Sequence, residues 1–129
     1  MRSVDTNVVA RFLLGDDINQ SLIAGNALSE GAFISLTVLL ETVWLLGSRY
    51  KLNPAQIIDL VNVLREHVAI QIEGEEWLDW LLDSFAQGLD FADLVHLIAS
   101  KNLQSFATFD RGIERYAQSG APVPVEILS

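Results

Sequence analysis

Short, β-branched apolar runs alternate with longer helical runs along the whole chain, and this alternation constrains the fold more than any other feature. Residues 3–4, ahead of Asp5, read as a first strand, and VVARFLL carries a helical pattern. GDDIN is a turn, a second helix is predicted over residues 18–29, Gly31 ends it, and AFIS reads as a short buried strand. TVLLETVWLLGSRYK, without Gly or Pro before Gly47, predicts a buried helix with Trp44 in the core. Asn53-Pro54 places Asn at the N-cap and Pro at the first helical position of a helix through Arg65. HVAIQIE is a third strand, and helices follow over about 75–85 and 90–101, separated by Gln87-Gly88. SFATF is a fourth strand, RGIERYA a short helix and PVEIL a last edge strand. Strands joined through helices pair in parallel, so the expected fold is one α/β domain over 1–129. It is a three-layer α/β/α sandwich around a parallel sheet.

Composition narrows the function classes. Half of the 129 residues are apolar, enough for one core, and no apolar stretch approaches the roughly 20 residues of a membrane-spanning helix. MRSVDTNVV lacks the features of a secretory signal, so a soluble cytoplasmic protein with no membrane partner is expected. The absence of cysteine excludes disulfides and thiolate metal sites. A net charge of −9 argues against nucleic-acid binding through a broad basic face. It is compatible with an enzyme whose carboxylates are covered by a divalent cation, and with a basic protein partner.

In parallel sheets ligands bind beyond the carboxyl ends of the strands, which directs attention to the acids found there. Asp5 follows strand one and is equally suited to cap the next helix. Glu41 sits in a run from Thr37 to Leu46 that is otherwise almost wholly apolar, with Thr37, Val38, Trp44 and Leu45 as its helical neighbours. Burying an unpaired carboxylate is costly, so Glu41 reads either as a metal ligand or as half of a buried ion pair with Arg11 or Arg49. In GLDFADLVHLIAS, Asp90 reads as the helix cap and Asp93 as the ligand, although the helix dipole also favours an acid at Asp93. Asp110 follows the strand in ATFDRG and could cap RGIERYA; Thr108 could orient a carboxylate or a water. Four carboxylates following four elements predict one site for a divalent cation. With no Cys and only two His, the oxygen donors favour Mg²⁺ or Mn²⁺, and such sites activate water against phosphodiesters.

VDTNVVARFLL, TVLLETVWLL, DFADLVHLIAS and FATFDRG, in that order, resemble the signature blocks of PIN-domain nucleases, and in particular the VapC toxins of bacterial VapBC toxin–antitoxin pairs. The resemblance spans essentially the whole chain. It implies a Mg²⁺- or Mn²⁺-dependent ribonuclease whose catalytic and metal-binding acids fall on Asp5, Glu41, Asp93 and Asp110. Thr6, Asn7 and Thr108 match the family's secondary positions, and Asp90 accompanies them. It also implies a homodimer, an RNA substrate and a basic VapB-like antitoxin.

The remaining residues suggest less. His96 and His67 read as packed or half-exposed side chains, and Trp77 with Trp80 as a core or oligomer face. Arg11, Arg49, Arg111 and Arg115 are candidate phosphate contacts among only eight basic residues. Three other functions compete: a non-catalytic interaction domain, a housekeeping RNA-processing nuclease without antitoxin, and a phosphoacceptor receiver. The last would need paired acids after strand one and a late-strand Lys, and neither is present.

Overall fold

The computed structural model describes residues 1–117 and 120–129. The chain forms two compact units, Met1–Glu75 and Glu76–Ser129.

In the first unit, β1 (Arg2–Ser3), β2 (Ala32–Ile34) and β3 (Ile70–Ile72) form a parallel sheet in the order β1-β2-β3. Ser3 pairs with Phe33, and Ile34 with Ile72. Continuing this register places Asp5, Ser35 and Glu73 beside one another just past the strand ends. Helix α1 (Thr6–Leu14) starts at the Asp5 cap and stops at Gly15, whose φ of 63° is the left-handed closure that glycine adopts without Cβ strain. Asp17 caps α2 (Ile18–Ser29), and Ser35 caps α3 (Leu36–Ser48). Before α4 (Pro54–Glu66), Asn53 and Gln56 form a reciprocal capping box, with Pro54 in the first turn where its missing N–H costs nothing.

Helix α3 turns Leu36, Leu39, Thr42, Val43 and Leu46 inward. Its other side carries Thr37, Glu41 and Trp44 into solvent, and Trp44 is 69% exposed. Two expectations are thereby corrected. Trp44 is not a core residue. Glu41 is not buried and, among the described residues, pairs with neither Arg11 nor Arg49; Arg11 instead binds Asp16 at 3.2 Å. The physical reason is that a helix apolar on every side has no periodicity to mark which face will be covered.

A 3₁₀ turn, Glu75–Trp77, begins on the last residue of the first unit and leads into α5 (Leu78–Ala86) of the second, where α6 (Phe91–Ala99) follows a tight turn at Gln87-Gly88. Phe85 and Phe91 meet edge to face at 5.2 Å, joining the two helices. Leu94, Leu97 and Ile98 of α6 are fully buried. Strands β4 (Phe106–Thr108) and β5 (Val125–Ile127) pair in parallel as a second sheet, extended by the amide of Leu128 donating to the Thr108 carbonyl at 2.8 Å. RGIERYA forms a 3₁₀ segment, Arg111–Ala117. Helices with exclusively parallel strand pairings establish the α/β class among the described residues. No helix of the described residues is long and apolar enough to cross a membrane.

Candidate active site

Asp5 and Glu41 belong to the first unit; Asp90, Asp93 and Asp110 belong to the second. At the carboxyl end of β1, Asp5 Oδ1 accepts the Val8 amide at 3.1 Å. At the end of β2, Ser35 Oγ accepts the Val38 amide at 3.2 Å and lies 3.0 Å from the Thr37 hydroxyl. At the end of β3, Glu73 Oε1 accepts the Leu36 amide at 2.9 Å, satisfying a free N–H at the start of α3 from 37 residues away. Glu73 was not among the residues singled out by sequence. Nothing local to its position marks it as a cap for a distant helix.

Glu41 lies in the second turn of α3, exposed beside Thr37 and Trp44. Thr6 is the first residue of α1. Asn7 lines an apolar cleft of about 310 Å³ between α1 and α2, together with Val8, Arg11 and Ile23. Arg49 is exposed at the end of α3.

In the second unit the acids interact. Asp90 Oδ1 accepts the Asp93 amide at 3.0 Å, capping α6. This leaves Asp93 at the third helical position, where free amides and the helix dipole favour negative charge. Asp110 Oδ1 accepts the Gly112 amide at 2.8 Å, while the Asp110 amide donates to the Thr108 hydroxyl at 3.0 Å. Thr108 therefore holds the turn that presents Asp110. Arg111 and Arg115 are exposed on the 3₁₀ segment that follows.

Asp93 is half-buried, and its carboxyl is pushed above the ordinary carboxylate value. Burial is the main cause, followed by the charge of Asp90, with a smaller push from Asp110; a hydrogen bond from Tyr116 and the charge of His96 oppose them. Tyr116 Oη also accepts the Asp90 amide at 3.1 Å. This tyrosine was missed by sequence reasoning, because a link across 26 residues leaves no local pattern. His96 is exposed and stacked on Phe106, with ring centroids 6.4 Å apart, and His67 accepts the Ala69 amide through Nδ1. Trp77 and Trp80 meet edge to face at 6.3 Å, each half-buried.

Every cap expected of Asp5, Asp90 and Asp110 is formed, and among the described residues each uses Oδ1. A cap of this kind leaves the second oxygen for another ligand. The donor chemistry fits a hard divalent cation: oxygen-only acids whose mutual repulsion a cation would relieve. Among the described residues, however, no three Asp, Glu or His side chains are grouped closely enough to grip a metal ion together.

The family model of the PIN domain matches residues 3–119, and the chain belongs to that family. PIN domains are typically metal-dependent nucleases. No curated protein matches the chain.

Proposed function

We propose that this PIN-domain protein is an endoribonuclease that uses Mg²⁺ or Mn²⁺ and serves as the toxin of a VapBC-type pair. The observation that carries the nuclease reading is the position of Asp93. It is half-buried, with Asp90 and Asp110 both making its ionisation harder, in a family of metal-dependent nucleases. A cation is the simplest group that relieves such repulsion. Asp5, Glu41, Asp93 and Asp110 are the proposed ligands, within a single domain spanning 1–129.

When bound, the cation lowers the pKa of a water and polarises the scissile phosphate. The chain's own contribution is to aim the carboxylates. Asp5 is fixed by its bond to the Val8 amide, Asp93 by its place in the first turn of α6, and Asp110 by Thr108 and the Gly112 amide. Thr6, Asn7 and Asp90 support the site from beside these ligands. Arg11, Arg49 and Arg111 are the proposed phosphate contacts, with Arg11 exchanging its Asp16 partner for substrate. Attack by water breaks the bond from phosphorus to the 3′ oxygen, leaving a 3′-hydroxyl and a 5′-phosphate.

The toxin role rests on the resemblance of VDTNVVARFLL, TVLLETVWLL, DFADLVHLIAS and FATFDRG to VapC. The charge of −9 suits a basic antitoxin, and a homodimer and cytoplasmic location go with the same reading. The test is digestion of a defined RNA with Mn²⁺ by wild type, Asp5→Asn and Asp93→Asn, with the product ends identified. Ends carrying 2′,3′-cyclic phosphate, or undiminished cleavage by either variant, refute the mechanism. An adjacent small reading frame whose basic product co-purifies and inhibits supports the toxin role. An active nuclease with no such partner favours a housekeeping RNA-processing enzyme.

One observation favours a non-catalytic module: Asp5, Asp90 and Asp110 are all engaged as caps. That reading expects no rise in melting temperature with Mn²⁺, whereas the nuclease reading expects one.

A further inference from the structure

Trp80, Asp83, Ser84 and Gln87 recur at spacings of three and four residues, so they share one side of α5 and its C-cap. Leu78, Leu81 and Leu82 take the buried side. With Leu89, Arg115 and Tyr116, the first set lines a polar cavity of about 230 Å³ that lies wholly within the second unit. The Leu89 amide donates to the Ser84 carbonyl at 3.2 Å, which folds the turn after α5 back against this cavity.

The lining is already arranged for a ligand. Ser84 is only 8% exposed, and among the described residues its hydroxyl has no hydrogen-bond partner. A buried hydroxyl without a partner is costly, and a polar ligand relieves that cost. Both aromatic walls are fixed beforehand. Trp80 meets Trp77 edge to face at 6.3 Å, and Tyr116 Oη accepts the Asp90 amide at 3.1 Å. Arg115 is exposed and, among the described residues, joins no ion pair in a chain of net charge −9.

We propose that this cavity binds one unpaired guanine of the RNA substrate, with Trp80 and Tyr116 stacking on the base and Asp83 reading its edge. The choice of an RNA strand as occupant rests on the proposed ribonuclease function. Single-stranded RNA is recognised by splaying a base out, stacking it on aromatic rings and bonding its Watson–Crick edge. A carboxylate is an acceptor with two oxygens. Guanine alone offers two adjacent donors there, N1–H and the 2-amino group, whereas uracil sets one donor between two carbonyls. Ser84 supplies a donor for the guanine carbonyl, and Arg115 pairs with the neighbouring phosphate. The volume lies below the roughly 300–1,000 Å³ of sites that enclose drug-sized ligands, which suits one base whose sugar and phosphate stay outside. Through Tyr116 the pocket adjoins the Asp90 cap of α6, so the bound base would be held beside the proposed catalytic acids.

Binding to the whole protein is measured by tryptophan fluorescence in EDTA, so that neither metal nor cleavage enters. The probes are a short oligouridine RNA carrying one guanine, the same RNA without it, and guanosine monophosphate. Wild type is expected to bind the guanine-bearing RNA about 10-fold more tightly than oligouridine. Removing a negative charge by Asp83→Asn would by itself strengthen binding of every RNA; the pocket instead requires the ratio of the two affinities to fall to about one. Asp83 is exposed, so this variant keeps the fold. Arg115→Gln should weaken both RNAs together and flatten the salt dependence. Equal binding of the two RNAs by wild type, or an unchanged ratio in Asp83→Asn, overturns the inference. Guanosine monophosphate bound as tightly as the guanine-bearing RNA overturns the RNA strand as occupant. These failures leave Mn²⁺-dependent cleavage by wild type as it was. A wild type that cleaves no RNA refutes the ribonuclease reading, and with it the substrate strand as occupant, even where guanine is preferred.

Discussion

Asp5 has two jobs that substitution can separate. Its backbone is extended (φ −93°, ψ 175°), and Oδ1 accepts the Val8 amide at 3.1 Å. Helix α1 has no other acid in its first turn, so Asp5 supplies both the cap and the negative charge facing the helix dipole. Asparagine caps as well as aspartate, so Asp5→Asn keeps the hydrogen bond and loses only the charge, a cost of about 0.3–1 kcal/mol, near the lower end at this exposed position. Asp5→Ala also loses the cap, adding about 1 kcal/mol. For a chain of this size about 1 kcal/mol shifts the melting temperature by about 3–5 °C. Thermal melts without metal should therefore place Asp5→Asn within about 3 °C of wild type and Asp5→Ala lower. Cleavage should behave differently. If Asp5 is a ligand, both variants lose several kcal/mol of transition-state stabilisation, a fall of about 100-fold or more in kcat. Asp17 is the internal control, because its carboxylate caps α2 in the same way, from the Gln20 amide at 3.0 Å. Asp17→Ala should match the stability loss of a missing cap and leave cleavage unchanged. Full cleavage by Asp5→Asn would refute the reasoning and leave Asp5 as a cap alone.

Asp93→Asn should raise the melting temperature of the metal-free protein near neutral pH, because the ionised form is what the fold disfavours. The carboxyl's folded pKa lies above its ordinary 3.8, so stability is lost as pH rises from that value through the raised one. Melts across that window should be flatter for Asp93→Asn, and an unchanged profile would contradict the assigned burial and charge effects. Leu94→Ala, at a fully buried position of α6, should cost about 2–5 kcal/mol, read as a lower urea midpoint with an unchanged slope. Trp44→Ser should cost less than about 1 kcal/mol in the same assay; a loss of about 3–5 kcal/mol, as for a core tryptophan, would contradict the exposed face of α3.

Most of the secondary structure was legible in the sequence because its determinants are local. The Asn53-Pro54 start, the Asp90 cap and the α2 span of Ile18–Ser29 depend on residues within one helical turn of each other. Alternation of strands and helices likewise sufficed for parallel pairing, because strands joined through helices return in the same direction. Asp5, Glu41, Asp93 and Asp110 were legible as candidates, and the cap roles of Asp5, Asp90 and Asp110 followed from position alone.

Tertiary structure decided what depends on which surfaces are covered and which distant groups meet. Nearly every side of α3 is apolar, so only packing could choose Leu39, Val43 and Leu46 for the interior and leave Glu41 and Trp44 outside. Pairing β4 with β5 as a separate sheet required contact between segments about 20 residues apart. Glu73 reaches the start of α3 across 37 residues, and Tyr116 reaches Asp90 across 26. Such bonds follow from a chain folded back on itself, and no periodicity or spacing in the sequence encodes them.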